Sequence, residues 1–228
     1  MYLTGIADEA SQDIKTQIEV TRQLGWNAIE SRFINGKNIH DLSEDAFDEV
    51  CETLDGSGVH INAFGSAIAN WGKDVRDDFS ITEAEIERTI PRMKRLGAKF
   101  VRVMSYKVVE GVELMAEERI KRLKLILDAF AAEGITVVHE NCMNYGGMSW
   151  QHTLELIDAL PGLKLVYDTG NPVFNRDHSK EGDQWQDPWE FYQHIKGHIA
   201  YVHVKDCLNP SPDSGNKEVY TYPGEGQG

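Results

Sequence analysis

The sequence is poor in cysteine and in long apolar runs, and both shortages narrow the classes of protein that it fits. It holds three cysteines in 228 residues, and no two of them form a CxxC pair. A small, odd number argues against a disulfide framework and suits a reducing compartment. No run approaches the roughly 18 apolar residues of a membrane helix, and residues 1–10 lack the features of a signal peptide. We therefore expect a soluble, cytoplasmic protein.

Basic residues are scarce relative to acidic ones. The 23 Lys and Arg residues stand against 37 Asp and Glu residues, which gives a formal net charge of −14, and the basic residues form no cluster. Such a chain would repel a phosphate backbone, so we expect no nucleic acid partner. The hydrophobic fraction of 41% is enough for a sizeable core, and the length fits one domain over residues 1–228.

The sequence does contain a regular alternation of strand-like and helix-like stretches. Seven strand-like runs recur at intervals of roughly 24–40 residues, which is the rhythm of parallel βα units. Helical spacing is clearest over residues 44–54, 117–133 and 150–159, and Ser43 is placed to cap the first of these.

The first strand-to-helix turn decides between the two α/β architectures. It reads Ala7-Asp8-Glu9-Ala10 and lacks the glycine-rich phosphate loop of a dinucleotide-binding fold. We therefore predict a (β/α)8 TIM barrel rather than an open doubly wound sheet. A complete barrel takes about 250 residues and this chain shows seven strands, so we expect the barrel to be truncated before its eighth strand.

Three of the strand-like runs close on potential metal ligands. In α/β folds the carboxyl ends of parallel strands carry the chemistry, so side chains placed there are expected to meet. Two carboxylates and an imidazole make a plausible oxygen and nitrogen set for a divalent ion. The three residues are Glu140 after residues 136–139, Asp168 after 163–167 and His203 after 199–202.

Six short motifs lie in order along nearly the whole chain. They are Gly5-Ile6-Ala7-Asp8-Glu9, Ile29-Glu30-Ser31-Arg32, His139-Glu140-Asn141, Tyr167-Asp168-Thr169-Gly170-Asn171, Val202-His203-Val204-Lys205-Asp206 and Pro223-Gly224-Glu225-Gly226. Their order and spacing together resemble the xylose-isomerase-like TIM-barrel superfamily. The resemblance is to its sugar isomerase/epimerase branch, which includes tagatose and psicose 3-epimerases, hydroxypyruvate isomerase and inosose dehydratase.

The resemblance implies one divalent metal ion, Mn²⁺, Mg²⁺, Co²⁺ or Zn²⁺, bound by Glu140, Asp168 and His203. A fourth ligand of the family, a glutamate closing the eighth strand, has no counterpart in this sequence. Glu140 would be the general base that removes a proton beside a carbonyl to form an enediolate. Residues implied or suggested to contact the substrate are Asn171, Lys205, Arg102, Glu30, Arg32 and Ser66. Aromatic residues on the long loops, Trp71, Tyr106 and Trp185, would cover a sugar face or serve an oligomer interface.

Plainer interpretations of the same residues stay open. Glu140 would then be a strand-end carboxylate in an ion pair, Asp168 a helix cap, and His203 a core histidine. Lys205 and Asp206 fit an ion pair as well as a substrate contact.

We therefore predict a metal-dependent isomerase or epimerase of a small ketose or keto-polyol, with a homo-oligomer compatible with the sequence. The alternatives are an inosose-type dehydratase on the same metal site, an endonuclease IV-like phosphodiesterase, which the net charge disfavours, and a barrel that only binds a ligand.

Overall fold

The computed structural model describes residues 1–215 and 217–228, and its strands and helices alternate as predicted. Within these residues seven strands share one sheet, and their order in the sheet follows their order in the chain, as in a TIM barrel. Every pairing that is resolved along this sheet is parallel. The strands are β1 (Gly5–Ile6), β2 (Ala28–Ser31), β3 (His60–Gly65), β4 (Phe100–Val103), β5 (Thr136–Glu140), β6 (Lys164–Asp168) and β7 (Ile199–His203).

The helices match the strongest helical patterns in the sequence. Ser43 caps the second helix by accepting a hydrogen bond from Ala46 N–H, and Ser149 caps the fifth in the same way from His152 N–H. Pro91 lies inside the third helix. The helices are α1 (Ile14–Gln23), α2 (Glu44–Leu54), α3 (Ser80–Leu96), α4 (Ala116–Ala132), α5 (Trp150–Ala159), α6 (Asn171–Phe174) and α7 (Pro188–Ile195).

The contacts group the chain into two compact units. The first comprises Met1–Ile68, Asp78–Val103 and Asp128–Val137. All four residues of β2 are buried, and so is the carboxyl half of β3. Strands buried on both faces are typical of a parallel sheet covered by helices.

The second unit comprises Ala69–Asp77, Met104–Leu127 and Val138–Gly228. Leu165 and Tyr167 of β6 pack against Phe191 of α7 in its core. Because side chains alternate along a strand, Asp168 at the end of β6 faces away from that helix. That a single domain spans both units remains a prediction.

Two segments of the second unit have structure that the sequence did not predict. Asp206–Leu208 pairs antiparallel with Val219–Thr221, and the short helix α6 directly follows β6. Among the described residues, no helix combines the length and the apolar character needed to cross a membrane.

Candidate metal centre

Glu140, Asp168 and His203 come together at the carboxyl ends of β5, β6 and β7. Each offers a ligand atom, and these atoms all lie within 4.8 Å of one another. His203 Nδ1 is 3.6 Å from Glu140 Oε1 and 3.9 Å from Asp168 Oδ2. The register explains the convergence, because Asp168 pairs directly with His203 across the sheet. The arrangement is the one predicted from the strand ends, and its role as a ligand set stays a prediction.

The chemistry of this cluster fits a divalent cation. Glu140 is 4% exposed and Asp168 is 1% exposed, so two carboxylates share a buried site. Buried like charges are unfavourable unless a cation compensates them. Carboxylate oxygens and an imidazole nitrogen are ligands that Mg²⁺, Mn²⁺ and Zn²⁺ accept.

The two carboxylate oxygens of Asp168 contact different groups. Oδ1 accepts hydrogen bonds from the N–H groups of Gly170 at 3.0 Å and Asn171 at 2.9 Å, at the start of α6. Oδ2 faces the cluster and lies 2.9 Å from Lys205 Nζ. Capping and cation binding are therefore compatible in this residue, because they use different atoms.

Asn171 contacts Glu140. Its Nδ2 donates to Glu140 Oε1 at 3.3 Å, and the residue is 1% exposed. The sequence suggested that Asn171 contacts the substrate, and the structure shows that its amide hydrogen-bonds a candidate ligand. Contact with a substrate remains a prediction.

Lys205 places a positive charge beside the carboxylates of the cluster. Its backbone is fixed by Thr169, whose Oγ1 accepts from Lys205 N–H at 3.0 Å and donates to Lys205 O at 2.5 Å. Burial works against the charge of Lys205, but the carboxylates of Asp168 and Glu140 outweigh it and raise the pKa of the ammonium group. Lys205 thus enters the cluster as a cation.

The Asp206 carboxylate binds backbone N–H groups of its own chain. It is 4% exposed, and its carboxylate accepts four backbone hydrogen bonds. Burial opposes its ionisation, but these four donors hold the pKa of the Asp206 carboxyl below its usual value. An added Cβ at Gly226 would overlap this carboxylate, which explains the glycine there. The donors are the N–H groups of Cys207, Gly224, Gly226 and Gly228, at 2.8–2.9 Å.

Replacing Asp206 with asparagine should lower the free energy of unfolding by about 2–4 kcal/mol at neutral pH, because the amide nitrogen would face two N–H donors and leave them without an acceptor. The stabilisation by the carboxylate is complete above the usual pKa of 3.8 and is lost as the pH falls through the lower folded-state value. Urea unfolding of both proteins near pH 7 and near pH 3 should therefore show a gap that narrows in acid. Asp213→Asn, at an exposed carboxylate nearby, is the control and should change little.

The loop that follows Glu140 is tightly wound. Asn144 Nδ2 donates to Glu140 O at 3.1 Å, while its Oδ1 accepts from Ser105 Oγ at 2.6 Å and lies 3.0 Å from His139 Nε2. His139 is fully buried, and burial lowers its pKa to about 4, so it is neutral. Its contacts to Ser105 and Asn144 are those of a structural histidine.

Gly147 has no room for a side chain in this loop. An added Cβ would overlap the carbonyl oxygen of Cys142 and come within 2.8 Å of its carbon. We expect Gly147→Ala to lower the free energy of unfolding by roughly 2–3 kcal/mol, because the backbone must shift. Gly197→Ala is the matched control, since a Cβ there meets nothing within 4 Å. Equal unfolding midpoints in urea for the two variants would contradict this.

Four of the predicted substrate residues lie in the first unit. Arg32 forms salt bridges with two carboxylates. Its Nη2 lies 2.8 Å from Asp8 Oδ2 and 2.6 Å from Glu9 Oε1. Ser66 Oγ donates to Arg102 O at 2.6 Å, and Arg102 Nη2 donates to Ser66 O at 3.3 Å. Glu30, the fourth, is buried at the end of β2. Their role in binding a substrate remains a prediction.

The loop aromatics differ in accessibility. Tyr106 is 2% exposed and adopts a left-handed backbone with φ of 64°, so the expectation of an accessible aromatic there is wrong. Trp71 is 53% exposed, and Trp185 is covered by the Arg176 guanidinium at 3.1 Å from its ring centre. Tyr106 and Trp71 both lie on polar loops, so the sequence did not distinguish the buried aromatic from the exposed one.

A second group of potential ligands, in the first unit, is better explained as a structural network. His40, Asp41 and Glu85 bring ligand atoms within 4.8 Å of one another. His40 Nε2 accepts the N–H of Ala67 at 3.1 Å, so in the neutral ring Nδ1 carries the proton and has no lone pair for a metal. Arg88 already compensates Asp41, at 2.7 Å.

Comparison with known families agrees with the fold. The family model described as xylose isomerase-like TIM barrel matches residues 18–228. A search of curated protein sequences gave no significant match.

Solved structures share the fold at low sequence identity. A xylose isomerase-like TIM barrel protein from Mycobacterium smegmatis in complex with magnesium has a TM-score of 0.72 and 17% identity, covering 94% of this chain and 74% of that protein. The probable 3-DHS dehydratase AsbF from Bacillus anthracis gives 0.72 and 17%, covering 99% and 85%. A D-allulose 3-epimerase from Methylomonas sp. gives 0.65 and 14%, covering 90% and 73%.

Proposed function

The chain belongs to the xylose isomerase-like TIM barrel family, and we propose that it is a divalent-metal-dependent isomerase or epimerase of a small ketose or keto-polyol. The observation that carries the proposal is the convergence of Glu140, Asp168 and His203 within 4.8 Å. The structural likeness to a D-allulose 3-epimerase supports the substrate class. A cytoplasmic location is part of the proposal.

Glu140, Asp168 and His203 are the residues that would hold the metal ion. Bound there, a divalent cation would act as a Lewis acid on substrate oxygens beside the reacting carbon. Two oxygen donors and one nitrogen donor suit Mg²⁺ or Mn²⁺ at least as well as Co²⁺ or Zn²⁺.

Glu140 is the proposed general base. Its carboxylate would take the proton from the carbon next to the substrate carbonyl, and Asn171 holds one of its oxygens by a hydrogen bond at 3.3 Å. This contact limits the rotation of the carboxylate and so favours one direction of attack. The Lys205 ammonium group, charged and beside Asp168, can donate a hydrogen bond to negative charge that develops on a substrate oxygen.

A dehydratase is the second candidate. It begins with the same proton abstraction by Glu140, but a hydroxyl on the neighbouring carbon then leaves as water and a double bond forms. The likeness to a probable 3-DHS dehydratase and the presence of the Lys205 ammonium, a proton donor for the departing hydroxyl, favour it.

The test is incubation of the protein with a panel of ketoses and keto-polyols in D₂O with added Mn²⁺, followed by NMR. An isomerase or epimerase incorporates deuterium at the carbon beside the carbonyl and yields an isomer of equal mass apart from the label. A dehydratase yields a product that has lost water. If protein shown to hold Mn²⁺ gave neither deuterium incorporation nor a product with any compound, both candidates would be contradicted.

A further inference from the structure

Asn141 joins the ends of β5 and β6 beyond the last backbone pair. Its Oδ1 accepts the N–H of Asp168 at 2.7 Å, and its Nδ2 donates to the carbonyl oxygen of Asp168 at 3.0 Å. The backbone ladder ends at Glu140 and Val166, so Asp168 lies two residues past it. The amide of Asn141, which is 3% exposed, therefore acts as an additional peptide group that continues the pairing.

Asn171 connects Asp168 back to Glu140 at the end of β5. Its backbone N–H donates to Asp168 Oδ1 at 2.9 Å, and its side-chain Nδ2 donates to Glu140 Oε1 at 3.3 Å. A closed circuit results: Glu140 is bonded covalently to Asn141, Asn141 hydrogen-bonds Asp168, Asp168 hydrogen-bonds Asn171, and Asn171 hydrogen-bonds Glu140. All four residues are buried.

We infer that this circuit sets the separation and orientation of the Glu140 and Asp168 carboxylates, which makes Asn141 and Asn171 positioning residues. The inference rests on the proposed function and deepens it. Two buried carboxylates repel each other and would separate if their backbones were free to move. The circuit opposes that motion through the backbone of Asp168 and through the side chain of Glu140. Neither asparagine needs to touch an ion to have this effect.

The first experiment measures the Mn²⁺ dissociation constant by EPR of free Mn²⁺ for the wild type, Asn141→Ala, Asn171→Ala and the double variant. Each single change should weaken binding roughly 10–100-fold, as is typical for loss of an outer hydrogen bond around a metal site. Because either change opens the same circuit, the double variant should bind Mn²⁺ about as tightly as the single variant with the lower affinity. Effects that multiply, or unchanged binding in Asn141→Ala, would overturn the inference.

Gln186→Ala is the matched control. Gln186 is a buried amide whose Nε2 donates to the carbonyl oxygens of Gly147 and Arg176, at 2.8 and 3.0 Å. Its loss should cost a comparable amount of stability and leave the Mn²⁺ dissociation constant unchanged. An equal loss of affinity in this variant would show that general destabilisation is the cause.

The second experiment needs no metal and separates this inference from the proposed function. Amide hydrogen exchange of the metal-free protein reports the Asp168 N–H, which donates to Asn141. Asn171→Ala does not remove that bond, yet it should speed exchange at Asp168 about 10-fold if the circuit is coupled. Unchanged exchange would overturn the circuit. A wild type that binds no Mn²⁺ but shows this coupling would contradict the proposed function and leave the circuit standing.

Discussion

Asp168→Asn is expected to abolish Mn²⁺ retention while the protein stays folded. Asparagine keeps an oxygen that accepts from the N–H groups of Gly170 and Asn171, but it replaces the cluster-facing Oδ2 with a donor that no cation can bind. The loss of affinity should exceed the roughly 10–100-fold that an outer hydrogen bond is worth. Equilibrium dialysis with elemental analysis measures the metal, and circular dichroism checks the fold.

The chain offers a close control for this change. Asp177 is buried like Asp168, its Oδ1 accepts from Ser179 N–H and Oγ, and its Oδ2 is 3.3 Å from Lys180 Nζ. Asp177→Asn therefore removes the same kind of buried, lysine-paired carboxylate away from the cluster. It should lose stability without losing Mn²⁺. Normal metal content in Asp168→Asn, or equal loss in both variants, would remove Asp168 from the ligand set.

Glu140→Gln should reduce deuterium incorporation into an active ketose by at least 10²–10⁴-fold, about the range that a general base contributes. Glutamine still offers an oxygen to Asn171 Nδ2, so the hydrogen bond that orients the side chain can persist. What is lost is the charge and the basic oxygen. The measurement is the initial rate of deuterium uptake by NMR, made at Mn²⁺ concentrations that saturate the variant, so that weaker metal binding does not mimic loss of the base.

Glu155→Gln is the control for that experiment. Glu155 is an exposed carboxylate on α5 that accepts from Tyr145 Oη at 2.7 Å. Its replacement should leave the rate of deuterium uptake near that of the wild type. If Glu140→Gln at saturating Mn²⁺ retained the wild-type rate, Glu140 would be at most a ligand and another group would have to take the proton.

Much of the fold could be predicted from the sequence because it depends on local patterns. Helix α2 begins after Ser43 as expected, since a cap and its partner lie three residues apart. Helices α4 and α5 lie within one residue of the predicted ranges. The hairpin of Asp206–Leu208 with Val219–Thr221 was missed because its segments carry no alternating pattern and pair across an intervening loop.

The sequence by itself determined the candidate ligands and the edge of the sheet where they meet. Parallel strands bring their carboxyl ends to one edge, so three ligand-type residues closing three such strands must be neighbours. It also excluded a dinucleotide loop at the first turn and disfavoured a nucleic acid partner.

Only the tertiary structure decided what holds those ligands in place. Asn141 reaches Asp168 across 27 residues, Asn171 reaches Glu140 across 31, and Asp206 gathers glycines 18–22 residues away. Tyr106 turned inward although its loop is polar. An amide or carboxylate side chain has several donors or acceptors of similar strength, and which of them is used depends on the groups that folding brings within 3 Å. That information lies in the packing of distant segments and not in the local order of residues.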